Sequence, residues 1–193
     1  MNEIPKWDER GLLPPIFPGT SPTGIERSPY CVDIMTFIKH FATTDQRINL
    51  LDNFLKFRGM LFTCGIDKGT QWINGSFCEY VENTRKRPPN DIDIVTLFFL
   101  PEGYDNQEAF YNKNKLLFAH NLIKEAFCID SYFLVFKDTM DYETCREIIY
   151  WNNLWSHTRD YQWKGFIEIP LDKTLDNDAQ QWLKNCKEGR SNV

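Results

Sequence analysis

The sequence lacks the ligand spacing of a zinc site. Its six cysteines form no C-x-x-C pair, and none stands at metal-binding spacing from any of the three histidines. Long apolar runs are missing too, and nothing approaches the roughly 18 uninterrupted apolar residues that a membrane-spanning helix requires. Met1 is followed by Asn-Glu-Ile-Pro-Lys, not by a basic stretch and an apolar core, so no secretory signal is expected. A cytoplasmic chain follows from these absences, with its cysteines reduced and serving as small buried apolar side chains. An excess of basic residues is also absent. The net charge of −5 has the wrong sign for a general DNA or RNA coat protein, although it leaves room for a local basic groove. There is no internal repeat and no low-complexity segment.

The residues that are present describe a packed globule. A chain of 193 residues, 42% apolar and 15% aromatic, can bury one full core but not two. Pro5, Pro14, Pro15, Pro18, Pro22 and Pro29, with Gly11, Gly19 and Gly24, exclude helix from residues 1–30. That segment is expected to be an extended N-terminal arm over a single domain spanning 31–193, anchored by Leu12, Leu13, Ile16 and Phe17. Ile34, Phe37, Ile38 and Phe41 follow the i, i+3, i+4, i+7 series of one helical face, with Asp33 as the N-cap. Thr44 or Asp45 caps a second helix with Ile48, Leu51, Phe54, Leu55 and Leu61 or Phe62 inside, broken by Gly65.

Strands are expected at 70–73, 91–100, 128–136 and 165–169. A helix over 77–83 separates the first two strands, and one long helix from Asp105 or Asn106 to about Phe127 precedes the third. A helix over 141–155 and a polar terminal helix over 176–187 complete the chain. Strands alternating with helices give an α/β (α+β) fold, a small mixed β-sheet covered by helices.

Chemistry concentrates in two stretches, Trp72-Ile-Asn-Gly-Ser-Phe-Cys and Asn90-Asp-Ile-Asp-Ile-Val. Asp91 and Asp93 stand at i and i+2 of a strand, which places both carboxylates on one face roughly 6.5–7 Å apart along it. Like charges held so close repel unless a cation lies between them, and hard divalent cations take such oxygen ligands. Gly75 permits close backbone approach, while Ser76 offers a hydroxyl and an N–H to an anion. Arg85, Lys86 and Arg87 form a basic loop able to reach a phosphate or an RNA backbone. His157 and Arg159, with the surrounding Trp155 and Trp163, are candidates to stack a base or line a pocket, core or surface packing being the other account of the tryptophans. His40 and His120 fall within helices and carry no expected role.

Gly75-Ser76 followed by Asp91-x-Asp93 resembles the Gly-Ser…Asp-x-Asp signature of the polymerase-beta-like nucleotidyltransferases. The chain further resembles an uncharacterised bacterial group of nucleotidyltransferase-like proteins. The resembling blocks are Gly11-Leu-Leu-Pro-Pro, Arg27-Ser-Pro-Tyr, Trp72-Ile-Asn-Gly-Ser-Phe, Pro88-Pro-Asn-Asp-Ile-Asp-Ile-Val-Thr, Asp130-Ser-Tyr-Phe and Lys164-Gly-Phe-Ile-Glu-Ile. The resemblance implies a Mg2+ or Mn2+ site on Asp91, Asp93 and Asp130, with Gly75, Ser76 and Lys164 binding the phosphates of an NTP. Asp130 would lie nearest the attacking oxygen and help draw its proton. The implied reaction moves an NMP to a hydroxyl on a protein, an RNA end or a small molecule, in a toxin-antitoxin or phage-defence setting. The alternative is an inactive module that keeps the fold and binds nucleotide or a partner protein. The chain departs from the commoner pattern in two places. Glu79-Tyr80 replaces a further glycine after the serine, and 15 residues separate Ser76 from Asp91 (91 − 76).

Overall fold

The computed structural model describes residues 3–104, 106–137 and 139–191. Five strands form one mixed sheet in the order β1-β5-β2-β3-β4. They are β1 (Tyr30–Cys31), β2 (Gly69–Asn74), β3 (Ile92–Phe99), β4 (Ile129–Phe136) and β5 (Ile167–Pro170). β2 runs antiparallel to both β3 and β5, while β4 lies parallel to β3 and β1 parallel to β5. The expected mixed sheet under helices is therefore present, with one further strand, β1, too short to leave a signal in the sequence.

Alternation along the strands creates two buried layers. Ile73, Ile92, Ile94, Phe98 and Ile129 face the main core, which is closed by α1 (Ile34–Phe41) and α2 (Asp45–Thr63). Trp72, Val95, Leu97 and Leu134 face the other way and meet Trp155 and Phe166 in a smaller cluster beneath α6 (Tyr142–Trp155). β3 is thus buried on both faces, which explains its unbroken apolar run.

The caps read from the sequence form as expected. The Asp33 side chain accepts from Thr36 N at 2.7 Å, and Thr44 Oγ1 accepts from Arg47 N at 3.3 Å. α7 (Asp176–Ser191) looks polar in sequence, yet it buries Ala179 and Leu183 as it packs on α1 and α2.

The expected long helix before β4 is instead two: α4 (Gln107–Lys113), capped by Asn106, and α5 (His120–Phe127). Asp105, the other proposed cap, lies outside the described residues. α4 ends at Asn114, the C-cap, whose backbone N–H and side-chain amide both donate to Phe110 O, at 3.1 and 3.0 Å. Leu117 then turns inward and is buried. The helix expected over 77–83 is also corrected. Gly75–Cys78 form a single 3₁₀ turn, and only Val81–Thr84 are helical, as α3.

Residues 3–29 bury Ile4, Leu12 and Leu13, while Ile16 and Phe17 are partly covered. The Trp7 indole stacks on Tyr80 at 4.8 Å and donates to Cys78 O at 2.8 Å, so this segment braces the turn after β2. The cysteines depart from expectation. Only Cys78 is fully buried, and Cys31 is exposed. Among the described residues, no helix is long and apolar enough to cross a membrane.

Candidate functional site

Register brings the carboxylates together. Asn74 of β2 pairs with Asp93 of β3, and Asp93 pairs in turn with Asp130 of β4. The three side chains stand in one row across the sheet, on the α6 side. Asp91 precedes β3 on the same face, two residues before Asp93. They line a cleft of about 610 Å³ that also takes in Gly75, Ser76, Arg85, Arg87, His157, Arg159 and Lys164. The expected metal and phosphate residues Gly75, Ser76, Asp91, Asp93, Asp130 and Lys164 thus border one cavity, whereas Lys86 and Trp163 do not line it.

Gly75 sits at φ +74°, and a Cβ there would fall 1.6 Å from Asp93 Oδ2. The close approach this glycine permits is therefore to a carboxylate, as well as to anything the turn binds. Asp93 is largely buried. Desolvation first, and then the charges of Asp91 and Asp130, push its pKa up to about 6, against the opposing pull of Lys164 and Lys124.

Lys124, in the last turn of α5, lodges its ammonium between the other two acids. Nζ lies 2.7 Å from Asp130 Oδ2 and 3.0 Å from Asp91 Oδ2, and these two hydrogen bonds raise its pKa. The two oxygens that contact it come from separate strand ends, so one cation already bridges them. His120, one turn earlier on α5, has Nε2 3.1 Å from Asp130 Oδ1. No hydrogen bond forms across that contact, so Asp130 Oδ1 stays buried without a hydrogen-bond partner, as does Asn74 Oδ1. His120, to which the sequence assigns no role, stands beside the third carboxylate.

The donor set fits a hard divalent cation. It is all oxygen, it has buried oxygens awaiting a partner, and an ammonium stands in for positive charge. The ligands are not closed on one point, however. Among the described residues, no three His, Cys, Asp or Glu side chains are gathered to hold an ion as the cleft stands. The Lys124 ammonium contacts two of the three acids, Asp91 and Asp130.

Lys164 is also differently placed from expectation. Its amine is buried, bonded to Glu79 Oε1 at 2.7 Å and close to Gly75 O at 3.4 Å. Glu79 Oε2 in turn pairs with Arg85 at 3.0 Å. The residue that departs from the commoner glycine therefore ties the basic loop to the turn. No α-helix begins at Ser76, so the hydroxyl and N–H expected of it are presented from the 3₁₀ turn Gly75–Cys78. Trp155 is buried against Phe166 and Trp151, which is packing, while Trp163 is exposed.

Lys124, Glu79 and Asn74 escaped the sequence reading. A lysine 31 positions beyond Asp93 (124 − 93) has no local pattern linking it to the motif. Asn74 had one available signal, its place directly before Gly75-Ser76.

A family model, described only as a family of unknown function, matches residues 5–170, a span that contains the whole cleft. No curated protein and no solved structure matches the chain.

Proposed function

This chain belongs to the family of unknown function DUF6932, and we propose, from the cleft itself, that this is a nucleotidyltransferase site. It would take an NTP with Mg2+ or Mn2+ and pass the NMP to a hydroxyl on a protein, an RNA end or a small molecule. The observation that carries this reading is the convergence of Gly75, Ser76, Asp91, Asp93 and Asp130 on one basic-rimmed cavity. The resemblance of those residues to the polymerase-beta-like signature supports it.

A divalent cation on Asp91, Asp93 and Asp130 would supply Lewis-acid stabilisation to the reacting phosphate. The protein's own residues divide the remaining work. Arg85, Arg87 and Arg159 border the cavity and present guanidinium groups matched to phosphate oxygens. Ser76 and the turn backbone offer neutral donors to the same anion. Asp130, with Oδ1 free of hydrogen bonds, is available to take the acceptor's proton. Leu154 and Trp155 form the apolar part of the wall. The proposed setting is cytoplasmic, with no membrane contact and no general DNA binding.

A second reading is favoured by Lys124 and Glu79. An ammonium already pairs with Asp91 and Asp130, and Glu79 holds Lys164, as an inactive nucleotide- or partner-binding module would permit. Thermal unfolding with Mg2+ and each NTP separates binding from none. A ligand at 100 times its Kd adds about 2.7 kcal/mol, a shift of several degrees in a domain of this size. The proposal expects a Mg2+-dependent shift for one nucleotide, lost in Asp91→Ala/Asp93→Ala, followed by pyrophosphate release once an acceptor is supplied. Binding without release in any acceptor mixture would favour the inactive module. No shift with any NTP would overturn the nucleotide site.

A further inference from the structure

Lys124 is the feature of the cleft that a simple metal site does not account for. Its ammonium touches carboxylate oxygens from two different strand ends, Asp91 Oδ2 and Asp130 Oδ2, while Asp93 pairs with Asp130 in the sheet register. A lysine in the last turn of a helix has a bland explanation, the favourable pull of the helix C-terminus. That explanation covers where the residue sits along α5, but not its bridging of two acids outside the helix. The side chain remains 43% exposed, so its four-carbon stem runs along the surface and has room to swing outward. α5 itself is fixed by buried Ile123 and by His120 Nδ1 at 3.2 Å from Ser131 O.

We infer that Lys124 is the resident counter-cation of the carboxylate cleft, excluding free divalent cations and yielding only when a cation arrives together with a polyphosphate. The inference rests on the reading of the cleft as a metal–nucleotide site and adds its control. Carboxylates drawn together on one face of the sheet repel one another when alone, and the register sets Asp93 directly beside Asp130. An ammonium between Asp91 and Asp130 relieves that repulsion without any metal. A free divalent cation must displace it, leaving the ammonium without a partner, so binding is weak. A cation carried on a triphosphate brings the phosphate oxygens that Lys124 can bond instead. Metal and nucleotide then bind with positive coupling, and the coupling runs through one side chain.

Removing the ammonium inverts the order of events. Lys124→Met keeps the length of the stem and removes the charge, without adding an oxygen that could itself ligate a metal. Lys124→Ala serves as a second variant in case the methionine packs into the cleft. Lys124→Arg keeps the charge. Mn2+ alone is titrated into each whole protein by calorimetry, and the titration is repeated with a non-hydrolysable NTP analogue present. The inference expects weak Mn2+ binding by the parent, strengthened by the analogue. It expects Mn2+ alone to bind Lys124→Met and Lys124→Ala at least about tenfold more tightly than the parent. In those two variants the analogue should add little, and Lys124→Arg should behave as the parent does.

Equal or weaker Mn2+ binding by both neutral variants overturns the inference, as does the absence of Mn2+ binding in every protein. The parent reading fails separately. If the neutral variants gain Mn2+ affinity while no NTP binds any protein, Lys124 guards a metal site that is not a nucleotide site. If the parent binds metal and nucleotide but the variants match it, the nucleotide site stands and the role of Lys124 falls.

Discussion

Asp93 ordinarily titrates at 3.8, and in the fold burial and two neighbouring acids bring it to about 6. The folded state therefore holds this proton more tightly than the unfolded chain does. Its contribution to stability is fully present below pH 3.8 and is lost as the pH rises through about 6. Replacing Asp93 by Asn removes that loss. In metal-free urea unfolding, Asp93→Asn should be more stable than the parent at pH 7.5, and the difference should shrink toward pH 4. A difference independent of pH would assign the gain to packing instead. Gly75 makes a sharper prediction. Alanine there suffers both the left-handed backbone and a Cβ 1.6 Å from Asp93 Oδ2. Gly75→Ala should cost at least about 3 kcal/mol, and less in an Asp93→Ala background, with a coupling of about 1–3 kcal/mol in the double-mutant cycle. Additive losses would mean that the backbone alone sets the requirement.

Elements hold these residues in place through two buried arginines on α2. Arg47 bonds Glu82 through Nε and Nη2, and also bonds the carbonyl oxygens of Phe77 and Glu79. It is the post on which the turn after Ser76 hangs. Arg47→Met leaves Glu82 and two carbonyls without a donor, so a loss of about 3–5 kcal/mol in chemical denaturation is expected. Arg58 does the same for the chain end, binding Asp176 and the carbonyls of Pro170 and Asp172.

The N-terminal segment adds a pH-sensitive contact, since Trp7 packs edge-on against His40. Burial, with Arg47 nearby, lowers the His40 pKa from 6.5 to about 4. The unfolded chain thus takes the proton first. Stability from this group is full above pH 6.5 and falls as the pH drops toward about 4. His40→Gln should flatten that part of the pH profile in thermal unfolding, and an unchanged slope would contradict the assignment.

Element by element, the sequence was legible where one physical signal dominated. α1 has a clean apolar stripe behind an aspartate cap, and its bounds follow directly. β3 is apolar on both faces and bounded by Asp91 and Pro101, so it too could be read. α4 and α5 are not separable in sequence because each carries helix-forming residues, and the helix end at Asn114 and the inward turn of Leu117 carry no glycine or proline to mark them. The site divides in the same way. Gly75, Ser76, Asp91 and Asp93 stand close in the chain and share a motif. Lys124 and Glu79 act only through distances that the fold creates.

At the scale of the whole molecule, the sheet serves as a ruler. Its register sets Asn74, Asp93 and Asp130 side by side, α6 and the 156–166 segment wall one side of the cleft, and the basic loop rims it. The central claim is that this arrangement takes a cation and a nucleoside triphosphate together. The most direct measurement is Mn2+ anomalous diffraction from crystals of the whole protein grown with Mn2+ and a non-hydrolysable NTP analogue. The account predicts an anomalous peak among Asp91, Asp93 and Asp130, with Lys124 turned away from both acids and onto the phosphates. Nucleotide bound elsewhere, or an empty cleft with Lys124 still bridging Asp91 and Asp130, would contradict it.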